Sequence, residues 1–523
     1  MRTKQLFKTR LLSFAALCCL ALAAVSCANE DIAQNGTGSD NNKDFTTFVA
    51  SEPTKTRTSM DYATGNFYWE EGDKIYVKDD DGHWQTSNAV DAAHAHSTSF
   101  RFKVPGKFKN SATYKVYYLG KNSSNNQVTI PTAQNQSSPN STKHLGDSGD
   151  YATATATGTL GGSMFSFQLE HQATYLIFKP YTSNDVLKYC YLTKIEVNSD
   201  NDIAETYTID PVSGNMNSSA GSKQIVLTTK DPISSSVNQD GFPLTNSSPD
   251  IITNGAYMLI KPGTHTLKVR YWVKDIATNV EGVITKILPS FNYDKNTYYD
   301  MTANLNVINY DGDHYYMWDA QQQYWSGHEW QSTNKDQPIL NGNSNSNYAH
   351  SNSDNRWYHE GSGAFQATNS SCKNLPNANE MTWYCMKGDP RWDEEQLWAT
   401  MGHLHKGGMW FLKKTYISGY RDDKAFNGTD FRTTRAGCGN LSPSMTLPST
   451  ADANKYFFLP ALGYYDSGKL GGVGKIGYYW SSSTYPKSGS GIFAYNFAFM
   501  KSAVYVSEEV ERNLGFRVQP LFE

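Results

Sequence analysis

A chain of 523 residues is too long for one ordinary hydrophobic core, so several domains are expected. Aromatic residues make up 13% of the sequence and charged residues only 18%, which excludes a largely disordered chain because there is ample apolar surface to bury. The net charge of −4 and the lack of a basic stripe give no reason to expect nucleic acid as a partner.

Residues 1–26 have the pattern of an export signal, with a basic start followed by a short apolar run. The run ends on Ala24-Val25-Ser26-Cys27, which resembles the lipobox of bacterial lipoproteins, although Ala24 stands where leucine is typical. The resemblance implies cleavage before Cys27 and an acyl anchor on its thiol. The alternative is an ordinary secretory signal with an incidental cysteine. Residues 27–44 are polar and aperiodic, and they predict a flexible tether.

Residues 45–198 read as short strands between turn clusters, which favours an antiparallel β-sandwich. Strict alternation near its end places Phe165, Phe167 and Leu169 on one face. The stretch "KDDDGH" at 78–83 lacks the ligand spacing of a calcium loop, so a hairpin turn is expected there.

Residues 199–308 form a second block of the same kind. In its clearest strand, "THTLKVRYWVKD", the side chains of Leu267, Val269, Tyr271 and Val273 alternate with polar or amphipathic residues. This pattern predicts one buried and one wet face, as in an antiparallel sheet.

Residues 309–523 are richer in tryptophan and glycine. Asn377 or Asn379 can cap a helix that continues to Gly388. A second helix is predicted from Asp389-Pro390 to Gly407-Gly408. The side chains that support it are apolar residues at helical spacing and acids near its start: Trp398, Met401, Leu404, His405, Asp393, Glu394 and Glu395.

Four segments in series resemble the fimbrillin family, the subunits of type V pili. They are "TKTRTSMDYATGNFYWEEGDKIYV", "VTIPTAQNQSSPNSTKHLGDSGDYATATA", "FSFQLEHQATYLIF" and "GAYMLIKPGTHTLKVRYWV". The resemblance covers about residues 45–308 and implies two tandem β-sandwich domains, with boundaries at 45–198 and 199–308.

The remaining part resembles a C-type-lectin-like module, so the expected fold is mainly β with an α+β domain at 309–523. The segments concerned are "LPNANEMTWYCMKGDPRWDEEQLW", "FFLPALGYYDSG", "GYYWSSSTY" and "ERNLGFRVQP". Such a fold needs two helices and paired late strands. The tripeptides that calcium-dependent sugar binders use are missing, so that activity is not supported.

The fimbrillin resemblance also implies an assembly route. An arginine-specific protease removes the first strand of the precursor, and a strand from another pilus subunit fills the groove. Here "DFTTFVASEPTKTR" is the first strand, Arg57 precedes the cut, and Thr58 becomes the new first residue. The alternative is that Arg57 is a surface residue in a turn. Because the lectin-like module occupies the end where a stalk subunit carries its donor strand, a tip or minor subunit is expected.

No catalytic constellation, cofactor motif or metal motif appears in the sequence. His403 and His405 are two residues apart on the predicted helix, so they point to different faces and suit a metal poorly. Beyond Cys27, disulfides can form among Cys372, Cys385 and Cys438, and spacing alone does not choose the pair.

The segment "GYYWSSSTY" offers a candidate binding surface at Tyr479 and Tyr485, while Trp480 is expected in the core. The resulting hypothesis is a non-enzymatic fimbrial tip or minor subunit that mediates adhesion. Its ligand would be a glycan or protein on a host or bacterial surface. The alternative is a surface lipoprotein that never polymerises and binds such a ligand while anchored in the outer membrane. Either way the chain is exported, and it resides on the cell surface or in the fimbrium.

Overall fold

The computed structural model describes residues 45–50, 59–60, 62, 67–121, 127–183, 186–210, 216–219, 221–486 and 491–518. The structure is mainly β, with 44% strand and 6% helix in several sheets. Within these ranges no helix is long and apolar enough to cross a membrane. Three predicted sites, the lipidation site Cys27 and the processing residues Arg57 and Thr58, lie outside the described residues.

The first unit contains the strands of the amino-terminal part. They are β1 (Phe45–Ala50), β2 (Ser59–Met60), β3 (Phe67–Tyr68), β4 (Tyr76–Lys78), β5 (Trp84–Thr86), β6 (Phe100–Pro105), β7 (Thr113–Tyr118), β8 (Gln127–Ile130), β9 (Ala133–Asn135), β10 (Ala152–Gly158), β11 (Met164–Phe167) and β12 (Glu170–His171). The main sheet has the order β5-β4-β7-β10-β11-β1-β6, with β12 beside β10. Trp69 packs against both Phe102 of β6 and Tyr118 of β7, so the sheet curves around a single core.

The second unit follows with β13 (Thr174–Tyr181), β14 (Cys190–Ser199), β15 (Glu205–Ile209), β16 (Met216–Ser218), β17 (Gln224–Thr228), β18 (Phe242–Pro243), α1 (Ile251–Asn254), β19 (Ala256–Ile260), β20 (Gly263–Asp275), β21 (Val280–Tyr293) and β22 (Thr297–Asn304). A sheet of order β21-β20-β14-β17-β9 faces the three-stranded sheet β19-β13-β22. The contact of Phe178 with Tyr271, 6.2 Å between ring centroids, joins the two layers. The alternation predicted for β20 is confirmed, since Leu267, Val269 and Tyr271 are all buried.

Strand pairing crosses the predicted boundary between residues 198 and 199. β13 precedes that boundary and β14 ends at Ser199, yet their partners β19, β20 and β22 lie beyond it. β8 and β9 likewise pair with β15 and β17 of the second unit. The physical reason is that a strand packs into the core of the sheet with which it forms hydrogen bonds. In this chain those sheets combine strands that are far apart in sequence.

The terminal unit comprises β23 (Ile308–Tyr310), β24 (Tyr315–Tyr316), α2 (Ala378–Lys387), β25 (Arg391–Thr400), β26 (His403–Leu412), β27 (Cys438–Asn440), β28 (Tyr456–Pro460), β29 (Leu462–Asp466), β30 (Lys469–Val473), β31 (Ile476–Thr484), β32 (Phe493–Met500), β33 (Ala503–Glu511) and β34 (Phe516–Arg517). Its two main sheets have the orders β23-β25-β26-β28 and β24-β34-β31-β32-β33-β27. The predicted first helix is confirmed as α2. The Asn377 side chain caps the helix, and the Glu380 carboxylate accepts a hydrogen bond from the Asn377 backbone amide, which completes a capping box. The helix ends at Gly388.

The second predicted helix, from Asp389 to Gly408, is wrong. The segment is the hairpin β25–β26, closed by a two-residue loop in which Met401 and Gly402 both have positive φ, at 49° and 80°. The acids assigned to a helix start lie instead at a β-bulge, where the Asp393 carboxylate accepts hydrogen bonds from two backbone amides further along β25. Among the described residues the terminal unit has one α-helix, where the lectin-like resemblance implies two.

Candidate functional site

The first strand is held on both edges. β1 runs parallel to β11, with Phe48 opposite Phe165, and antiparallel to β6, with Phe48 opposite Phe102. The alternation in "FTTFVA" explains this placement, because Thr46, Phe48 and Ala50 face the core. β1 is therefore an internal strand of its sheet although it stands at the beginning of the described chain.

Phe48 anchors this strand in the first core. Its side chain is fully buried, and its ring lies 5.2 Å from that of Phe108, 5.4 Å from that of Phe165 and 6.3 Å from that of Tyr114. Phe45 at the start of the strand is 53% exposed by contrast. Loss of β1 would leave an apolar groove between β11 and β6, with the hydrogen-bonding edges of both strands open.

The last described strand is built into the terminal unit. β34 pairs antiparallel with β24, and its Arg517 pairs with Tyr479 of the parallel strand β31. Phe516 and Arg517 are buried, and the Arg517 guanidinium donates a hydrogen bond to the Asp311 carbonyl at 2.8 Å. Residues 516–518 are thus part of the terminal core and are not presented as a free strand.

The predicted binding surface at Tyr479 and Tyr485 is wrong, because both side chains are buried. The Tyr479 hydroxyl donates a hydrogen bond to the Pro460 carbonyl at 2.7 Å, and its ring stacks on Phe499. The Tyr485 ring packs edge-on against Tyr495. The expectation that Trp480 is a core residue is confirmed, since it is fully buried.

A ligand-sized pocket lies elsewhere in the terminal unit, where sequence analysis expected none. Its volume is about 610 Å³, and its walls combine acids, amides and aromatic rings: Asn309, Asp311, Gly312, Asp313, His314, Tyr316, Gln323, Glu329, Trp330, Gln331 and Met401. A Cβ added at Gly312 would lie 2.5 Å from Met401 Cγ and 3.2 Å from Trp330 Cδ1, so the glycine makes room mainly for the methionine side chain and also for the indole ring. The sequence signal that could have located it is the short acidic run "DGDH" at 311–314.

Three side chains of the pocket lie within hydrogen-bonding distance of one another. His314 Nδ1 lies 2.6 Å from an Asp311 carboxylate oxygen and 2.7 Å from one of Asp313. Burial would raise the pKa of Asp311, but hydrogen bonds with His314 and Asp313 and the charge of Arg517 lower it well below its usual range. Burial and the neighbouring Asp311 raise the pKa of Asp313. The pocket therefore offers both donors and acceptors to a polar ligand.

The same three residues form a geometrically compact donor set. One ligand atom from each of Asp311, Asp313 and His314 lies within 4.8 Å of the others. Carboxylate and imidazole donors are of the type that divalent metals accept. The sequence predicted no metal site, and exposed acidic groups of this kind are common without an ion.

His403 and His405 lie on strand β26, and the structure does not place them on a helix. His403 Nδ1 lies 3.0 Å from the buried carboxylate of Asp275, at the end of β20, and the Leu404 amide donates to the same oxygen at 3.0 Å. His405 is buried and stacks on Trp398. Both histidine side chains are therefore packed, and the pair of His403 with Asp275 joins the terminal unit to the second unit.

The four described cysteines are free thiols. Cys385 and Cys438 are neighbours, and a hydrogen bond with Cys438, followed by burial, raises the pKa of Cys385 far above its usual value. Cys372 is fully buried, with its sulfur accepting a hydrogen bond from the Asp319 amide at 3.2 Å.

Comparisons with known proteins find similar solved structures only at low identity and low TM-score. No family model matches the chain, and no curated protein matches it. A candidate cell adhesion protein from Bacteroides ovatus is 15% identical with a TM-score of 0.29, covering 50% of this chain and 93% of that one. The fimbrial anchor protein Mfa2 from Porphyromonas gingivalis is 10% identical with a TM-score of 0.22, covering 47% and 83%. A fimbrial protein from Bacteroides ovatus is 12% identical with a TM-score of 0.23, covering 91% and 100%.

Proposed function

We propose that this chain is the precursor of a tip or minor subunit of a type V fimbria and that it acts in adhesion. The precursor is exported and anchored in the outer membrane through an acyl group on Cys27. Proteolysis after Arg57 then removes β1, and a strand from another pilus subunit takes its place. The terminal unit, a variant of the C-type-lectin-like module, contacts the target surface.

The observation that carries the proposal is the position of β1. The strand is flanked by β11 and β6, and Phe48 fills the core beneath it. A cut at Arg57 falls between β1 and β2, so the strand would then be held by non-covalent contacts alone. A replacement strand can recover the same main-chain hydrogen bonds whatever its sequence, provided that one apolar residue fills the place of Phe48.

The position of β34 bears on strand donation. A stalk subunit must both accept a strand and donate one. Residues 516–518 contribute to the terminal core, and Phe516 stacks on Trp480 at 4.4 Å between centroids. Donation of these residues would open that core, so they are poorly suited to serve as a donor strand.

Contact with a ligand is assigned to the pocket around Trp330. An aromatic face packs well against the C–H face of a sugar ring, while carboxylates and amides can accept and donate hydrogen bonds with its hydroxyl groups. Asp313, Glu329 and Gln331 supply such groups next to the indole. A surface glycan, free or carried on a protein, is the ligand class that this combination suits best.

The assembly proposal is tested by mass spectrometry of the native amino terminus, from washed cells and from sheared filaments. A chain that begins at Thr58 in the filament fraction is the expected result. The variant Arg57→Ala should keep its original terminus and stay out of filaments, while the matched control Lys55→Ala should be processed normally. An acylated Cys27 confined to the membrane fraction in the wild type would refute assembly and favour the non-polymerising surface lipoprotein.

The contact proposal needs a separate test, because the isolated chain can bind a ligand without being assembled into a filament. The purified chain is applied to an array of defined mono- and oligosaccharides. Trp330→Ala should lose binding by tenfold or more, and Trp357→Ala, which changes a partly buried tryptophan outside the pocket, should retain it. Equal binding by both variants would exclude this pocket as the contact site.

A further inference from the structure

We propose that Cys385 and Cys438 form a disulfide in the exported protein, and that Cys190 and Cys372 remain thiols. Sequence spacing left three pairings open among Cys372, Cys385 and Cys438. The inference does not depend on fimbrial assembly, since it rests on the packing of one helix against the late strands of the terminal unit.

The two residues meet beside the same strand. Cys385 lies in the last turn of α2, and its buried thiol donates a hydrogen bond to the Val504 carbonyl of β33 at 3.4 Å. Cys438 begins β27 and stands opposite Val506 of β33, while Asn440 of β27 stands opposite Val504. Helix α2 packs directly on β27 and β33, and the side chains of Cys385 and Cys438 are close enough to form a hydrogen bond with each other.

The other two described cysteines, Cys372 and Cys190, lie in separate hydrophobic cores. Cys372 belongs to a separate apolar cluster with Trp318 and Trp480, and its sulfur is engaged by the Asp319 amide. Cys190 begins β14 in the second unit and is 1% exposed. A bond from either one to the pair would require two cores to open, because a disulfide needs Cα atoms about 4.4–6.8 Å apart.

The oxidation follows ordinary thiol–disulfide exchange. Cys438 is partly exposed, so its thiolate can attack a low-molecular-weight or protein disulfide and release one thiolate from that oxidant. The sulfur of Cys385 then displaces the second thiolate from the mixed disulfide and passes its proton to that departing thiolate. The protein gives up two electrons and two protons, and the disulfide oxidant is reduced to two thiols.

The bond would close a loop of about 50 residues and attach α2 to the sheet that contains the last strands. A loop of this length restricts the unfolded chain appreciably, so reduction should lower the Tm of the terminal unit by about 10 °C.

The test is non-reducing peptide mapping of the full chain. The protein is incubated with glutathione disulfide, denatured under alkylating conditions, digested and analysed by mass spectrometry. The expected result is one linked peptide pair containing Cys385 and Cys438, with Cys190 and Cys372 alkylated. Four alkylated thiols, or a linked peptide that contains Cys372, would overturn the proposal.

Variants give an independent readout. Cys438→Ser should abolish both the linked peptide and the reductant-dependent drop in Tm, whereas Cys372→Ser should retain both. If Cys438→Ser fails to fold, the map of the wild-type protein still decides the question. A reductant-dependent Tm that persists in folded Cys438→Ser would contradict the assigned pair.

Discussion

The role of β1 can be tested at one side chain, Phe48. Truncation to alanine removes a fully buried ring that contacts Phe108, Tyr114 and Phe165. Removal of a buried phenylalanine costs about 3–5 kcal/mol, which combines the lost transfer free energy with the cavity left behind. The matched control is Phe45→Ala in the same strand, where the ring is 53% exposed and the expected cost is below about 0.5 kcal/mol.

The assay must report on the first unit alone, because a chain with several units does not unfold in two states. Peptide-resolved hydrogen exchange of β6 and β11 meets this requirement, since both strands pair with β1. A loss of about 3 kcal/mol corresponds to an opening equilibrium raised by about 10²-fold. Amide protection in β6 and β11 should fall by that factor in Phe48→Ala and stay unchanged in Phe45→Ala.

Two results would refute the reasoning. Unchanged protection in Phe48→Ala would show that β1 contributes little to the first core. An equal loss in both variants would show that the effect comes from the strand as a whole and that Phe48 is no anchor.

Three further predictions concern the second and terminal units. His405 has its pKa lowered to about 4 by burial and by the nearby charge of His403, so the unfolded state binds more protons between pH 6.5 and 4. The unfolding free energy of the terminal unit should therefore fall by about 3 kcal/mol as the pH drops through this window, and His405→Phe should largely remove that fall when both proteins are followed by peptide-resolved hydrogen exchange of β26. Asp275→Ala leaves the buried His403 ring and the Leu404 amide without their acceptor, at a cost of about 1–3 kcal/mol each, and limited proteolysis should then cut between the second and terminal units. Cuts at the wild-type rate would contradict this role. Asn377→Ala removes the cap of α2 and should cost about 0.5–2 kcal/mol in denaturation experiments, whereas the exposed neighbour variant Asn374→Ala should be neutral.

Structural elements that depend on interactions between residues close in sequence could be predicted from the sequence. Alternation over β20 gave its buried face correctly, because a strand between two neighbours in one sheet keeps a period of two. The capping residues around α2 were sufficient to place that helix, since the Asn377 and Glu380 side chains bond to backbone groups within the first turn.

The hairpin β25–β26 could not be recognised in the same way. Apolar residues at Trp398, Met401 and Leu404 have helical spacing only because a tight loop interrupts two strands that are buried on both faces. Such loops favour Asn-Gly, and here a methionine takes the first left-handed position beside Gly402. Tertiary packing therefore favours the β-hairpin over the helix that the local spacing of apolar residues predicts.

The pocket was missed for a related reason. Its residues come from three separate segments, around Asp311, Glu329 and Met401, and only the folded chain brings them together. Conversely, Tyr479 and Tyr485 have the composition of a binding surface, but Tyr479 lies on β31 in the middle of a sheet, Tyr485 directly follows that strand, and both side chains are buried. Composition does not reveal which sheet position a strand will take.

The two-sided pairing of β1 has a mechanical consequence. A strand at the edge of a sheet can detach under tension one hydrogen bond at a time. β1 has hydrogen-bonded partners on both sides, so a force along its own axis loads both sets of hydrogen bonds in shear at the same time. Whatever polypeptide occupies this position inherits that geometry. A filament joined there would withstand shear flow through the number of bonds loaded at once, so joint strength would depend on the length of the inserted strand more than on its sequence.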